Sequence, residues 1–164
     1  MRLRLWAAVL AGKGAYWLSR VGGGQGSSLP GLVALRVHPG VLAAFASQAR
    51  RGAIIVTGTN GKTTTNNMLA RVLTSSGARV VVNKEGANLI TGVTAAFIRA
   101  SQLSGRVDYD WAVLEVDEAA FPRVAEIVRP QVVVVTNFFR DQLDRYGELD
   151  KTVAHVRNAV NGLL

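Results

Sequence analysis

Ala53-Ile54-Ile55-Val56-Thr57-Gly58-Thr59-Asn60-Gly61-Lys62-Thr63-Thr64 decides how this chain is read. Ala53 to Val56 is a short apolar, largely β-branched run, the pattern of a buried strand. Gly58 to Thr64 follows it directly and opens a helix. The backbone N–H groups of such a glycine-bearing loop wrap phosphate oxygens, and the helix N-terminus adds partial positive charge. Gly58, Thr59, Asn60, Gly61, Lys62, Thr63 and Thr64 are therefore the expected nucleotide-binding residues. Lys62 is expected to reach the terminal phosphates and the Thr63 hydroxyl to ligate Mg²⁺. The strict pattern G-x-x-x-x-G-K-[ST] is not met, because Val56 occupies the place of its first glycine.

Outward from this stretch, strands and helices alternate. Thr63 to Ser76 reads as a helix with Met68, Leu69, Val72 and Leu73 on one face, and Gly77 is its stop. Strands are expected over Arg79 to Asn83, Trp111 to Val116 and Val132 to Val135. Helices are expected over Leu89 to Leu103, Phe121 to Val128 and Asp150 to Val160. This alternation implies an α/β fold, a parallel sheet flanked by helices with a P-loop-type nucleotide site. A short helical N-terminal segment precedes it. The expected division is 1–50 for that segment, with the glycine-rich linker Gly22 to Ser28 closing in Leu29-Pro30-Gly31, and 51–164 for an incomplete nucleotide-binding domain. Within the first part a short helix is expected from Pro39 to Arg50.

Glu115 ends the apolar run Trp111-Ala112-Val113-Leu114. A carboxylate there is costly without a cation, and beside a phosphate loop the obvious cation is Mg²⁺. Thr63 and Glu115 are the expected metal ligands, whereas Asp117 and Glu118 read as helix-start residues. Asn137 follows the fourth strand and is expected to bind the nucleotide with the loop, and Asn83 and Asn88 follow the second. Open parallel sheets bind ligands outside the carboxyl ends of their strands, so all these residues converge on one rim. His38 and His155 lack partners at metal or triad spacing and read as structural. Trp6, Trp17 and Trp111 read as packing residues.

The chain has 164 residues and no cysteine, which excludes a disulfide framework and thiolate-bound zinc and permits a reducing cytoplasm. Residues 1–107 carry 13 basic groups and one acid, Glu85, while residues 108–164 carry 6 basic and 10 acidic groups. The basic half attracts phosphate; the acids concentrate where a metal ion is expected. Basic-aromatic interleaving is absent, and no nucleic acid is expected as a partner. The N-terminal apolar run Leu5 to Ala11 is too short to span a bilayer. On that helix Arg2, Lys13 and Arg20 share one side with Trp6 and Trp17 close by. Packing on the domain is thus the expectation, and peripheral membrane contact the alternative.

The stretch Gly58 to Thr64 resembles the shortened ATP loop of the Mur ligase family. The family's third-strand glutamate looks like Glu115 in Glu115-Val116-Asp117-Glu118, and its threonine-asparagine segment like Thr136-Asn137 leading to Asp141-Gln142. The resemblance covers about residues 50–160. Within the family the likeness is greatest to the branch that amidates the D-glutamate of the lipid-linked peptidoglycan precursor. Leu29-Pro30-Gly31, Gly86-Ala87-Asn88-Leu89 and Phe139 to Gly147 carry that likeness. The resemblance implies an ATP-dependent carboxylate–amine ligase with ATP and Mg²⁺ as cofactors. Lys62 holds the β/γ-phosphates, Thr63 and Glu115 the metal, and Asn88 lies beside the reacting groups; Lys62, Glu115 and Asn88 are the implied catalytic residues. The implied partners are a glutamine amidotransferase subunit supplying ammonia and the lipid-linked precursor, in the cytoplasm, at the inner face of the membrane if the N-terminal helix makes peripheral contact. Most members carry a metal-binding histidine where this chain has Gln142, so the usual second Mg²⁺ site is not expected. That branch continues into a four-cysteine zinc ribbon and a further catalytic domain, so these 164 residues are expected to bind MgATP without completing the reaction. A folylpolyglutamate synthetase-like ligase and a non-catalytic nucleotide-binding fragment are the competing readings.

Overall fold

A computed structural model describes residues 2–21, 28–83, 86–139 and 148–163. Four strands, β1 (Gly52–Thr57), β2 (Val80–Val82), β3 (Trp111–Glu115) and β4 (Val132–Val135), form one parallel sheet in the order β2-β3-β1-β4. Seven helices are α1 (Arg2–Val21), α2 (Leu29–Val37), α3 (Val41–Ala46), α4 (Lys62–Ser75), α5 (Ile90–Ala100), α6 (Phe121–Val128) and α7 (Glu148–Asn161). The expected α/β class is the observed one.

Side-chain parity along the strands assigns the two faces of the sheet. On β1, Ile54 joins Val113 of β3 and Ala70 of α4 in a small cluster. Ile55 joins Ala112 and Leu114 in the larger core, which also holds Val9, Leu42, Phe45, Phe97, Tyr109 and Phe121. Glu115 has the parity of Val113, so its side chain falls on the α4 side of the sheet. The register pairs Val56 with Glu115, which sets that carboxylate beside the end of β1, where the glycine-bearing loop begins.

The larger core is aromatic at its centre. Phe45 and Phe97 stack at 5.7 Å, and Phe97 meets Tyr109 edge-on at the same separation. The Tyr109 hydroxyl donates to the Phe45 carbonyl at 2.8 Å, and burial pushes its phenol above the ordinary range.

Several sequence-based expectations are corrected here. Leu29-Pro30-Gly31 opens helix α2 instead of closing a linker. Pro30 stands in its first turn, and Gly31 lies so close to α5 that a Cβ there would sit 1.8 Å from the Thr91 carbonyl oxygen. The helix expected from Pro39 to Arg50 is confined to α3. On α4 the buried positions are Asn66 and Ala70, with Leu69 and Leu73 packed beside them, while Met68 and Val72 face outward. The small Ala70 lets α4 lie close to the sheet, which turns the face by about one residue from the one the apolar pattern marks. Trp6 and Trp17 are 47% and 69% exposed, not packed, because α1 presents its small residues Ala8, Gly12 and Ala15 to the domain. The acids are not all gathered at one rim: Asp108 and Asp110 pair with Arg50 and Arg79 at the opposite end of the sheet, Asp108 lying 2.7 Å from Arg50. The expectations placed on Gly22 to Ser27, Glu85 and Arg140 to Gly147, Gln142 among them, lie outside the described residues.

Candidate functional site

The site is assembled where β1, β3 and β4 end. Gly58 has φ +121°, and a Cβ on it would meet the Thr136 hydroxyl at 2.4 Å and the Asn137 carbonyl at 2.7 Å. Only glycine lets the loop leave β1 this close to the segment after β4. That contact is reinforced by four hydrogen bonds. Thr59 N donates to Asn137 O at 2.8 Å and Asn60 N to Asn137 Oδ1 at 3.0 Å. Asn137 Nδ2 donates to Asn60 O at 3.1 Å, and Phe139 N to Thr59 Oγ1 at 3.2 Å. Asn137 is thus a strut of the loop that follows β1, with its whole side-chain amide engaged on Asn60.

Helix α4 starts at Lys62, directly above the end of β3. The Thr63 hydroxyl donates to Glu115 Oε2 at 2.8 Å, joining residues 52 positions apart. Glu115 is 4% exposed, and its backbone is clamped on both sides by Asn83. Asn83 Nδ2 donates to Glu115 O at 2.8 Å and Glu115 N donates to Asn83 Oδ1 at 2.9 Å, continuing the β2–β3 pairing one step past the end of β2. Asn83 Nδ2 also reaches Ala87 O at 2.8 Å. Asn88 is held alongside, its carbonyl accepting from Asp117 N at 3.0 Å. The sequence places Asn83 on the rim without showing its clamp; an asparagine directly after a β-branched strand was the available signal.

Glu118 departs from its expected role. Asp117 does behave as a turn-starting residue, its carboxylate accepting from Ala119 N at 3.0 Å. Glu118 instead turns back and lies 3.2 Å from Lys62 Nζ. The turn before α6 delays the helix to Phe121, which frees Glu118 to face the loop. Lys62 Nζ also donates to the carbonyls of Gly58 and, at 3.2 Å, Thr59. Its three protons therefore have three acceptors.

The donor set matches Mg²⁺. The Thr63 and Glu115 oxygens are separated by about the length of a cis edge in an octahedron with ~2.05 Å bonds. Among the described residues no group of three or more His, Cys, Asp or Glu could enclose a metal.

A model of the Mur ligase middle domain matches residues 56–161. Over 159 residues the chain is 40% identical to the lipid II isoglutaminyl synthase (glutamine-hydrolyzing) subunit MurT of Staphylococcus aureus, a match covering 97% of this chain and 35% of that protein. The protein of the same name from Streptococcus pneumoniae is 38% identical over 161 residues, covering 98% and 35%. The UDP-N-acetylmuramoylalanine–D-glutamate ligase of Gloeobacter violaceus is 36% identical over 130 residues, covering 76% and 27%. MurF from Acinetobacter baumannii superposes with a TM-score of 0.61 at 24% identity, over 80% of this chain and 28% of that one, a likeness of fold. The chain spans about a third of the length of the curated relatives it matches. With the family's middle domain covering most of its length, this chain belongs to the Mur ligase family.

Proposed function

We propose that the chain is the ATP-binding portion of a Mur-type carboxylate–amine ligase of peptidoglycan synthesis. The observation that carries this reading is the meeting of Thr63 and Glu115 at the mouth of a phosphate loop, 2.8 Å apart. In this reading the backbone from Gly58 to Thr64 cradles the phosphates, Lys62 takes the β- and γ-phosphates, and Thr63 with Glu115 holds Mg²⁺. The metal, when bound, offsets the negative charge of the phosphates. Asn137 acts by holding Asn60, and Asn88 lines the side toward the acceptor.

The finer reading follows the relatives named lipid II isoglutaminyl synthase. The γ-phosphate passes to the D-glutamate carboxylate of the lipid-linked precursor, giving an acyl phosphate and ADP. Ammonia from a glutamine amidotransferase partner then displaces inorganic phosphate and leaves the amide. In that reading this chain supplies the nucleotide site. The proposed location is the cytoplasm, against the inner face of the membrane. The outward side of α1 supports it: Leu3, Trp6, Trp17 and Val21 are exposed there beside Arg20, and α1 has no acid. No helix among the described residues is long and apolar enough to cross a membrane.

Calorimetric titration of the chain with ATP in Mg²⁺ tests the proposal. Saturable binding that falls at least about tenfold in Lys62→Ala is expected. Affinity unchanged by that substitution would overturn the site assignment.

A further inference from the structure

Two carboxylates set three residues apart reach the start of α4. Glu115 accepts from Thr63, and Glu118 lies 3.2 Å from Lys62 Nζ. Both therefore engage the first two residues of α4. The Lys62–Glu118 pair is largely withdrawn from water, with 13% and 14% of the two side chains exposed. In such surroundings an ion pair is less screened than one on the surface.

This placement is electrostatically odd for a phosphate site. Among the described residues of the site, two carboxylates face one ammonium, so the loop repels a free polyphosphate. Mg²⁺ accounts for Glu115. Nothing in the proposed binding of nucleotide uses Glu118, which takes up the one charge that the phosphates need. Of the three acceptors on Lys62 Nζ, two are carbonyls of the loop itself. Glu118 is the remaining one, anionic and carried on a separate turn.

Resting on the nucleotide reading above, we propose that Glu118 is a built-in competitor of the nucleotide's terminal phosphates. It pairs with the Lys62 ammonium over the loop, and a polyphosphate takes its place there. Glu118 is thus a positioning residue that keeps the site selective for the metal-bound form of the nucleotide. Free polyphosphate must overcome both carboxylates, whereas the Mg²⁺ complex brings charge that Glu115, and the released Glu118 next to it, favour.

The test is calorimetric binding of ATP, ADP and AMP to the chain, in EDTA and in Mg²⁺, for the unaltered protein, Glu118→Gln, Lys62→Met and the double variant. In EDTA, Glu118→Gln is expected to bind ATP about tenfold tighter, with a smaller gain in Mg²⁺ and no gain for AMP. The gain should be smaller in the Lys62→Met background, where competition for that ammonium is gone and only the direct repulsion by Glu118 remains. A merely structural role gives no tightening in any arm. Unchanged or weaker ATP binding in EDTA overturns the proposal, as does an equal gain in Lys62→Met. Glu118→Ser, which also removes the charge, must show the same sign and serves if the glutamine variant fails to fold. Absence of ATP binding by the unaltered chain in Mg²⁺ would instead remove the nucleotide reading on which this one rests.

Discussion

Thr63 and Glu115 lie 52 residues apart in the chain and 2.8 Å apart in space, one on the first turn of α4 and the other on the last residue of β3. The β1–β3 register and the alternation of side chains along β3 together produce this contact. Shifting β3 by one residue would send the carboxylate to the opposite face, into the aromatic core.

Glu115→Gln separates the metal role from a structural one. The amide oxygen of glutamine can still accept from Thr63, so the fold should persist. ATP affinity in Mg²⁺ is expected to fall tenfold or more, by about the loss seen for metal-site partners. In EDTA it should not fall, because glutamine removes a charge that repels the free polyphosphate. Equal losses in both conditions would make Glu115 a structural residue.

Gly58→Ala tests the close approach of the loop to the segment after β4. The added Cβ meets Thr136 and the Asn137 backbone at a φ that L-residues rarely adopt. A loss of about 2 kcal/mol in stability is expected, with ATP binding weakened further as the Thr59 and Asn60 bonds to Asn137 are pushed apart. Denaturant unfolding with and without MgATP measures both, and full stability would show that the loop has room to yield.

Tyr109→Phe removes the hydroxyl that donates to Phe45 O while leaving the ring stack in place. The expected cost is about 1–1.5 kcal/mol at neutral pH. Burial raises the folded-state pKa of this phenol above its ordinary value of 10.0. Its stabilising share is therefore full below pH 10 and is lost as the unfolded chain ionises above it. The unaltered protein should lose stability more steeply than Tyr109→Phe above that pH in equilibrium unfolding.

The outward side of α1 should bind phosphatidylglycerol vesicles. A blue shift of tryptophan emission and co-sedimentation are expected, both reduced in Trp6→Ala/Trp17→Ala and by high salt. Vesicles of phosphatidylcholine alone serve as the neutral control. Absence of binding to anionic vesicles would assign this face to contact with protein.

Much was legible from local pattern because local physics suffices for it. The alternation of β-branched runs with helical stretches marked every strand and the order of the layers. The glycine-lysine-threonine sequence between β1 and α4 marked the loop, and a carboxylate ending an apolar strand marked Glu115. Boundaries were legible to within a few residues, apart from α2, where Leu29-Pro30-Gly31 after a glycine tract reads equally as a turn or as a helix start.

What the sequence by itself determined is the parallel α/β class, the glycine-bearing loop between β1 and α4 and the rim on which Glu115, Asn88 and Asn137 gather, since periodicity and turn chemistry act over a few neighbouring residues. Only the tertiary structure decided that Glu118 pairs with Lys62, that Asn83 clamps Glu115, that Asn137 is a strut of the loop and that Trp6 and Trp17 face outward. Each of these depends on which distant segment a side chain meets, and that is set by strand register and helix packing over separations that local preference does not reach.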